Sequence, residues 1–223
     1  MAIALLARGQ ESLNSVASSI KSTVPGAVVE CFAADTSKPD TLKQAFSDIS
    51  THSSFKSLKL SLAIYSIKHS SKKPFMNETY EEFIGSLNTY VGGAFVFAQE
   101  SLRRFFADHG EQPLAEGGPK KGTLIFTGTL GALRCNAEYA AYGAGRASVR
   151  QLAQTLAREM RGQGVHVVHT IANGSIRDED GEDQKKGAKM SAESVGKTYL
   201  WLAGQEPTLF THELDMRPSQ ESF

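Results

Sequence analysis

The sequence predicts an α/β protein, a doubly wound parallel sheet with helices on both faces. Three observations carry this. Apolar runs of strand length alternate with amphipathic stretches of helical period, the order that parallel β-α-β units produce. The chain has 223 residues, 40% of them hydrophobic, enough to bury the core of one α/β domain. Its opening run, ending at Arg8, is of strand length and meets a helical stretch at once, with no break between them.

The elements follow in order. Residues 3–7 form a strand. Leu13, Val16 and Ile20 recur at helical spacing, so residues 10–23 form a helix, which Pro25-Gly26 stops. A second strand covers 27–33 and ends at Asp35. A helix over 39–49 places Leu42, Phe46 and Ile49 on one face. Residues 58–65 are the third strand, followed by a basic polar loop to Lys73. Residues 80–106 carry apolar side chains at helical spacing, interrupted by Gly92-Gly93, where glycine weakens a helix but admits a close neighbour. After a Gly/Pro-rich loop, 122–129 is the fourth strand. Residues 139–161 form the most regular helix, with Val149, Leu152, Ala153, Leu156 and Met160 on one stripe. A fifth strand (165–171), a charged loop (177–189), read as a mobile lid or only a loop, a helix (192–203) and a short strand (209–216) complete the chain. No internal repeat or linker divides it, so residues 1–223 are expected to form one domain.

Lys plus Arg and Asp plus Glu are equal at 24 each, which argues against nucleic acid and an anionic membrane surface as partners. Cys31 and Cys135 suit neither a disulfide framework nor a metal site, and two packed thiols fit a reducing compartment. His166 and His169, three apart on a strand, face opposite sides and are read as packing or surface residues. No run reaches membrane-spanning length and no leader is visible, so a soluble, cytoplasmic protein is expected.

The chemistry concentrates at Tyr142-Gly-Ala-Gly-Arg146. A cation four residues after a tyrosine lies on the same helical face, one turn on. A positive charge there favours phenolate and lowers a phenol from its ordinary value near ~10. Such a tyrosine can exchange a proton with a carbonyl oxygen while hydride moves. Thr129 stands thirteen residues earlier at a strand end, where open α/β sheets bind ligands, and its hydroxyl can bond the same oxygen.

In the order and spacing of its landmarks the chain resembles the short-chain dehydrogenases/reductases, from Met1 to about Pro218. Arg8 stands at the end of the family's second strand. Ala33-Ala-Asp35-Thr matches the position whose Asp contacts adenine. Tyr142 falls on the tyrosine of Tyr-x-x-x-Lys, and Asn173-Gly174-Ser-Ile176 on the Pro-Gly turn whose following backbone meets the nicotinamide amide. The ending 211–218 is like that of one reductase subgroup. The resemblance implies a Rossmann-like fold, a small-molecule carbonyl or alcohol substrate, NADP(H), and a homo-oligomer built through helices 80–106 and 142–161. It casts Tyr142, Arg146 and Thr129 as catalytic. Arg8, Asp35, Ser66, Tyr142, Arg146, Gly174 and Ile176 become cofactor contacts, with Arg8 facing the 2′-phosphate.

The departures are equally specific. Arg146 replaces the family lysine, and a guanidinium does not release protons. Thr129 replaces serine. Ser66-Ile67-Lys68 replaces Asn-Ala-Gly, Tyr90 the structural asparagine, and Asn173 the proline of the turn. The family's first strand, glycine-rich loop and first helix have no counterpart before residue 3. That strand is central in the order 3-2-1-4-5-6-7, so its neighbours would stand about 10 Å apart, against a pairing distance of roughly 4.8 Å. Either 3–7 slides inward to pair with 58–65, giving a six-stranded sheet, or the pieces separate. After a slide, Arg8-Gly-Gln-Glu-Ser12 would occupy the phosphate-loop position with Glu11 opposing phosphate, and NADP(H) binding would be weak or lost.

Three readings follow from the sequence. One is an NADP(H)-dependent oxidoreductase of a small carbonyl or alcohol, in a secondary-metabolite pathway. A second is a catalytically impaired relative serving as a binding or oligomer partner. The third is a truncated gene product whose upstream segment encodes the glycine loop. Plainer roles stand beside the sharp ones. Tyr142 and Tyr139 are also compatible with helix packing, Arg146 with a solvated helix face, and Arg8 with a strand end. Asp35 is compatible with an N-cap, and Lys68, His69, Lys72 and Lys73 with a solvated loop.

Overall fold

The computed structural model describes residues 2–69, 71–177 and 181–221. Strand β1 (Ala2–Ala7) passes through Arg8 and Gly9 into α1 (Gln10–Thr23), which buries Leu13 and Ala17, one turn apart. Gly26, at φ +81°, makes the turn into β2 (Val28–Ala33), a conformation open to glycine at no steric cost. Helix α2 (Pro39–Thr51) starts with proline in its first turn, where no backbone donor is needed, and buries Leu42 and Ala45.

Strand β3 is shorter than the sequence suggests, covering Leu62–Tyr65 rather than 58–65. The preceding residues are held by side chains near the end of a later helix. Asp108 accepts from Leu60 N (2.7 Å), Arg104 donates to Leu58 O (2.8 Å), and His109 bonds Leu60 O (3.0 Å). The long helix expected over 80–106 is likewise interrupted. A capping box of Thr79 and Glu82 starts α3 (Tyr80–Leu87), a π turn follows at Asn88–Gly92, and α4 (Gly93–His109) continues. The glycine pair explains the bulge. A Cβ on Gly93 would stand 2.6 Å from Thr36 Cβ and 2.8 Å from the Tyr65 hydroxyl, so the loop after β2 and the end of β3 press on the helix backbone there.

Strand β4 (Gly122–Gly128) and strand β5 (Val165–Ala172) are buried almost throughout, flanking α5 (Ala140–Met160) in sequence. The charged loop 177–189 carries short elements of regular structure. Strand β6 (Ile176–Arg177) pairs with β7 (Met190–Ser191), with the short α6 (Glu182–Lys185) between them; residues 178–180 lie outside the described residues. Helix α7 (Ala192–Ala203) and β8 (Glu213–Met216) end the fold. The last strand begins four residues later than expected because Thr211 and the segment before it are held by Gln205, which bonds both Thr211 N (2.8 Å) and Thr211 Oγ1 (2.9 Å).

All strand pairs are parallel, but they form separate sheets: β1-β2, β3-β4-β5-β8 and the small β6-β7 ribbon. The inward slide is therefore overturned. Among the described residues, 2–7 pair with 28–33 alone, and β3 pairs only with β4. Packing accounts for this. Leu6 of β1 and Phe32 of β2 are set in a cluster with Ala34, Leu42, Ala45 and Val96, which joins α2 to α4. Moving β1 by a full strand spacing of ~4.8 Å would strip those contacts. The two larger sheets are tied together instead through α2 and α4, with Phe46 and Phe97 meeting edge to face at 5.5 Å. Parallel sheet with helices on both sides makes the fold Rossmann-like.

The main core lies between β3-β4-β5 and helices α4 and α5, around Tyr65, Phe105, Phe126, Val149 and Val167. A second core sits under α7, with Ile125, Val168, Tyr199 and Leu202. Both strand histidines are packing residues. His166 bonds Leu202 O (3.1 Å) and Thr211 O (2.7 Å) through its two nitrogens. His169 is fully buried, and neither of its ring nitrogens has a hydrogen-bond partner. Burial, only partly offset by Glu213, pushes His169 down to about 4. An imidazole that stays neutral in the folded state but takes a proton near ~6.5 when unfolded stabilises the fold fully above that pH. That stability is lost as pH falls from about 6.5 to about 4, by about 3 kcal/mol. Urea denaturation across that window should show the loss, and His169→Phe should flatten it; an unchanged slope would show that His169 is not responsible.

Candidate active site

The carboxyl ends of the strands gather the residues singled out by sequence. Thr129 follows β4 in extended conformation, and its Oγ1 accepts from Gly131 N (3.3 Å), which starts a tight turn. Tyr142 sits in the first turn of α5. Its hydroxyl and Thr129 Oγ1 are 2.5 Å apart, a strong hydrogen bond between two groups thirteen residues distant in sequence. Gly131 permits this approach, since a Cβ there would come within 2.4 Å of the Tyr142 ring. Tyr139 meets Tyr142 edge to face at 5.7 Å.

Arg146 is on the Tyr142 face of α5, but it is not solvated. It is 5% exposed. Its guanidinium stacks over the Tyr90 ring at 4.0 Å and stands 5.0 Å from the Tyr142 ring. Nη1 donates to the Tyr90 hydroxyl and to Thr127 O (3.5 Å), while Nη2 donates to Ile67 O (3.2 Å) and His69 O (3.3 Å). Burial pushes the Tyr90 phenol up, and the Arg146 charge partly offsets this. The cation thus binds the loop after β3 to α5. This corrects the reading of Arg146 as a solvated helix residue, and Tyr90 turns out to be its partner. Asn88, two positions earlier, is exposed and donates to Ser37 O (3.1 Å).

His69 was expected in a solvated loop, and here the structure differs. Its ring is half-buried, with Nε2 2.8 Å from Ser86 Oγ on α3. Ser86 is 6% exposed. His69, Ser86, Tyr90, Tyr142 and Arg146 line one narrow crevice. Burial, then Arg146, then Arg8 hold His69 below the ordinary imidazole range. The sequence carried one signal for Ser86, a polar residue within the helical stripe of Phe83, Leu87 and Tyr90. The neighbouring lysines are surface groups: Lys73 pairs with Glu82 (2.7 Å) and Lys72 with Glu138 (3.5 Å).

The remaining sequence candidates follow strands of all three sheets or lie on them. Arg8 is exposed, with no hydrogen bond or ion pair among the described residues. Its charge reaches both His69 and Asp35. Asp35 is not a helix N-cap. Its Oδ1 accepts from Ser37 N (3.0 Å) and Ser37 Oγ (2.7 Å), bonds that lower its carboxyl, while Lys38 occupies the cap position of α2 without a side-chain bond. Ser66 is exposed after β3. Gly174, at φ +133°, also faces Pro218 so closely that a Cβ would come within 2.8 Å of it. Ile176 lies on β6, opposite Met190. Among the described residues no cluster of His, Cys, Asp or Glu could hold a metal ion, and no helix is long and apolar enough to cross a membrane.

A Rossmann-like sheet with a hydrogen-bonded tyrosine and threonine at its carboxyl edge defines a class of nucleotide-dependent oxidoreductase folds. The sequence matches the family model for enoyl-(acyl carrier protein) reductase over residues 1–208, and the chain belongs to the short-chain dehydrogenase/reductase family. No curated protein matches the sequence. Among solved structures, the chain is similar to a short-chain dehydrogenase from Rhodopseudomonas palustris (22% identity, TM-score 0.76), covering 98% of this chain and 87% of that one. It is also similar to an alcohol dehydrogenase from Thermococcus sibiricus complexed with 5-hydroxy-NADP (15%, 0.78; 99% and 87%). L-sorbose reductase from Gluconobacter frateurii, complexed with NADPH and L-sorbose, is similar at 16% identity and TM-score 0.78, over 97% and 85% of the two chains. At these identities the likeness is one of fold.

Proposed function

We propose that the chain is an NADP(H)-dependent oxidoreductase that interconverts a small carbonyl compound and its alcohol. The observation that carries this reading is the 2.5 Å bond between Thr129 and Tyr142 beyond the carboxyl end of β4. Two hydroxyls so placed can hold one substrate oxygen. Tyr142 passes it a proton, and Thr129 donates a second hydrogen bond as charge develops. Solved structures of the same fold are complexed with NADP, 5-hydroxy-NADP or NADPH. The donor set suits that group. Arg8 is an exposed, unengaged guanidinium at a strand end, fit for a 2′-phosphate, and Asp35 keeps one carboxylate oxygen free of the Ser37 bonds. When bound, the dinucleotide supplies or accepts the hydride. Ketones of secondary metabolism are the first substrates to screen.

A second reading is favoured by Arg146, whose contacts all run to the protein interior. A relative so altered serves as a binding or oligomer partner, through α3–α4 and α5, without turnover. Fluorescence titration with NADPH, followed by turnover assays on ketones, separates the two. Binding without turnover favours the second, and no binding at high micromolar NADPH removes the first. The role of Arg8 has its own test. Arg8→Ala should raise the Kd for NADPH by about 10- to 100-fold, the worth of a charge-assisted contact of roughly 1.5–3 kcal/mol, and leave NADH unchanged. An equal loss for both dinucleotides would take Arg8 away from the 2′-phosphate.

A further inference from the structure

We propose that Gln220 and Glu221 are positioning residues: the turn they belong to clasps two neighbouring pieces of backbone and so fixes one wall of the site beside Thr129. The effect on turnover rests on the oxidoreductase reading.

Strand register places this wall. Gly128 stands opposite Ile171 across β4 and β5, so Thr129, the next residue on, comes level with Ala172 at the end of β5. The turn after Ala172 therefore leaves the sheet at the side of the Thr129–Tyr142 pair. Ala172 is opposite Met216 at the end of β8, and Asn173 N donates to Met216 O (3.0 Å). Thr129, Asn173 and Arg217 thus emerge side by side from three adjacent strands.

Beyond Arg217 the chain turns over Pro218–Glu221, closed by Glu221 N donating to Pro218 O (3.1 Å). One side of this turn holds the turn after β5. Glu221 Oε1 accepts from Asn173 Nδ2, and Pro218 packs against Gly174. Its other side holds the backbone that leads into β7. Gln220 N donates to Gly187 O (2.9 Å) and Gln220 Nε2 to Lys186 O (2.7 Å), while Ser219 fills the place a Cβ on Gly187 would need. Strand β7 closes the circuit, because Met190 N donates to Ser175 O (3.0 Å).

Apolar packing gives these pieces little order of their own. Of residues 173–177 and 186–191, only Met190 is buried. Polar bonds to Gln220 and Glu221 are then a large share of what holds them. A wall that is already ordered spares the substrate the cost of ordering it, and that saving appears as affinity. Neither residue needs to touch the substrate to have this effect.

The clasp has a direct readout. It engages the carbonyls on both sides of the Lys186–Gly187 peptide, so trypsin can cut after Lys186 only when both leave Gln220. Brief digestion with mapping of the fragments by mass spectrometry measures how often that happens. In a Gln220→Ala, Glu221→Ala protein, cleavage after Lys186 should accelerate by about 10- to 30-fold, the worth of two ordinary hydrogen bonds, with cleavage after Lys43 of α2 unchanged. Glu221→Gln, which keeps an acceptor oxygen for Asn173, should stay within about threefold of wild type. With NADPH and a ketone, the double variant should raise KM for the ketone by about 10-fold and keep kcat within about threefold, the pattern of lost uniform binding. A merely structural loss would lower kcat with the folded fraction and leave KM alone. Unchanged cleavage after Lys186, or equal acceleration after Lys43, overturns the clasp even if ketones are reduced. Faster cleavage after Lys186 with an unmoved KM overturns its role in the site. Faster cleavage after Lys186 alone, in a protein whose wild type reduces no ketone, rejects the oxidoreductase reading and with it the effect on turnover, while the clasp stands.

Discussion

Tyr142→Phe is expected to lower kcat for ketone reduction by about 10²- to 10⁴-fold while the Kd for NADPH stays within twofold of wild type, because positioned proton transfer is worth that much and the substitution removes only an oxygen. The ring remains held by Tyr139 at 5.7 Å and by the Arg146 guanidinium at 5.0 Å, so the helix and crevice persist. Thr129 loses its partner at 2.5 Å, a net cost of about 1 kcal/mol in stability at a half-buried site. Fold and chemistry are thereby separated: thermal unfolding should change by a few degrees and turnover by orders of magnitude. Thr129→Val makes the companion experiment. If Thr129 shares the substrate oxygen, its loss lowers kcat by less than that of Tyr142, since a hydrogen-bond donor disappears but the acid remains. If Tyr142→Phe keeps kcat within threefold of wild type, the proton comes from elsewhere and the phenol serves only as packing.

The parallel sheet was legible because its cause is local. Strand runs such as 165–171 and the stripe Val149, Ala153, Ala157 record burial directly in the residue pattern. Tyr142 and Thr129 were legible for a different reason, a spacing that places one at a strand end and the other in the first turn of the next helix. What stayed hidden depended on contacts between distant segments. Nothing in residues 3–7 shows that Leu6 is anchored with Val96 of α4, yet that contact keeps β1 on β2. Nothing near Gly92-Gly93 names Thr36 as the neighbour that needs the missing Cβ. The direction of Arg146 was hidden most completely, because a helix position fixes the face of a side chain but not its rotamer, and four of its acceptors lie 19 to 79 residues away.

Arg146 is also where substitution should cost most in stability. Its guanidinium is 5% exposed and satisfies the Tyr90 hydroxyl and the carbonyls of Ile67 and His69, while Nε is buried without a partner. Arg146→Met removes the charge, strands those acceptors and ends the stacking on Tyr90, and should destabilise the protein by about 1–3 kcal/mol for each acceptor left buried and unpaired, read as a fall in the urea midpoint at neutral pH. Arg146→Lys restores the residue that the family uses here, yet it too should destabilise, by about 1–3 kcal/mol. An ammonium is a compact charge on a flexible stem and cannot reach Tyr90 and both carbonyls as a planar fork does. Tyr90 completes the argument. In an Arg146→Lys, Tyr90→Asn protein the stacking platform is gone, so the two changes should cost less together than the sum of their separate effects. Strict additivity would mean that Arg146 and Tyr90 are neighbours without energetic coupling. A loss below 1 kcal/mol in Arg146→Met would mean that water reaches the stranded carbonyls, leaving the guanidinium free to turn toward a ligand.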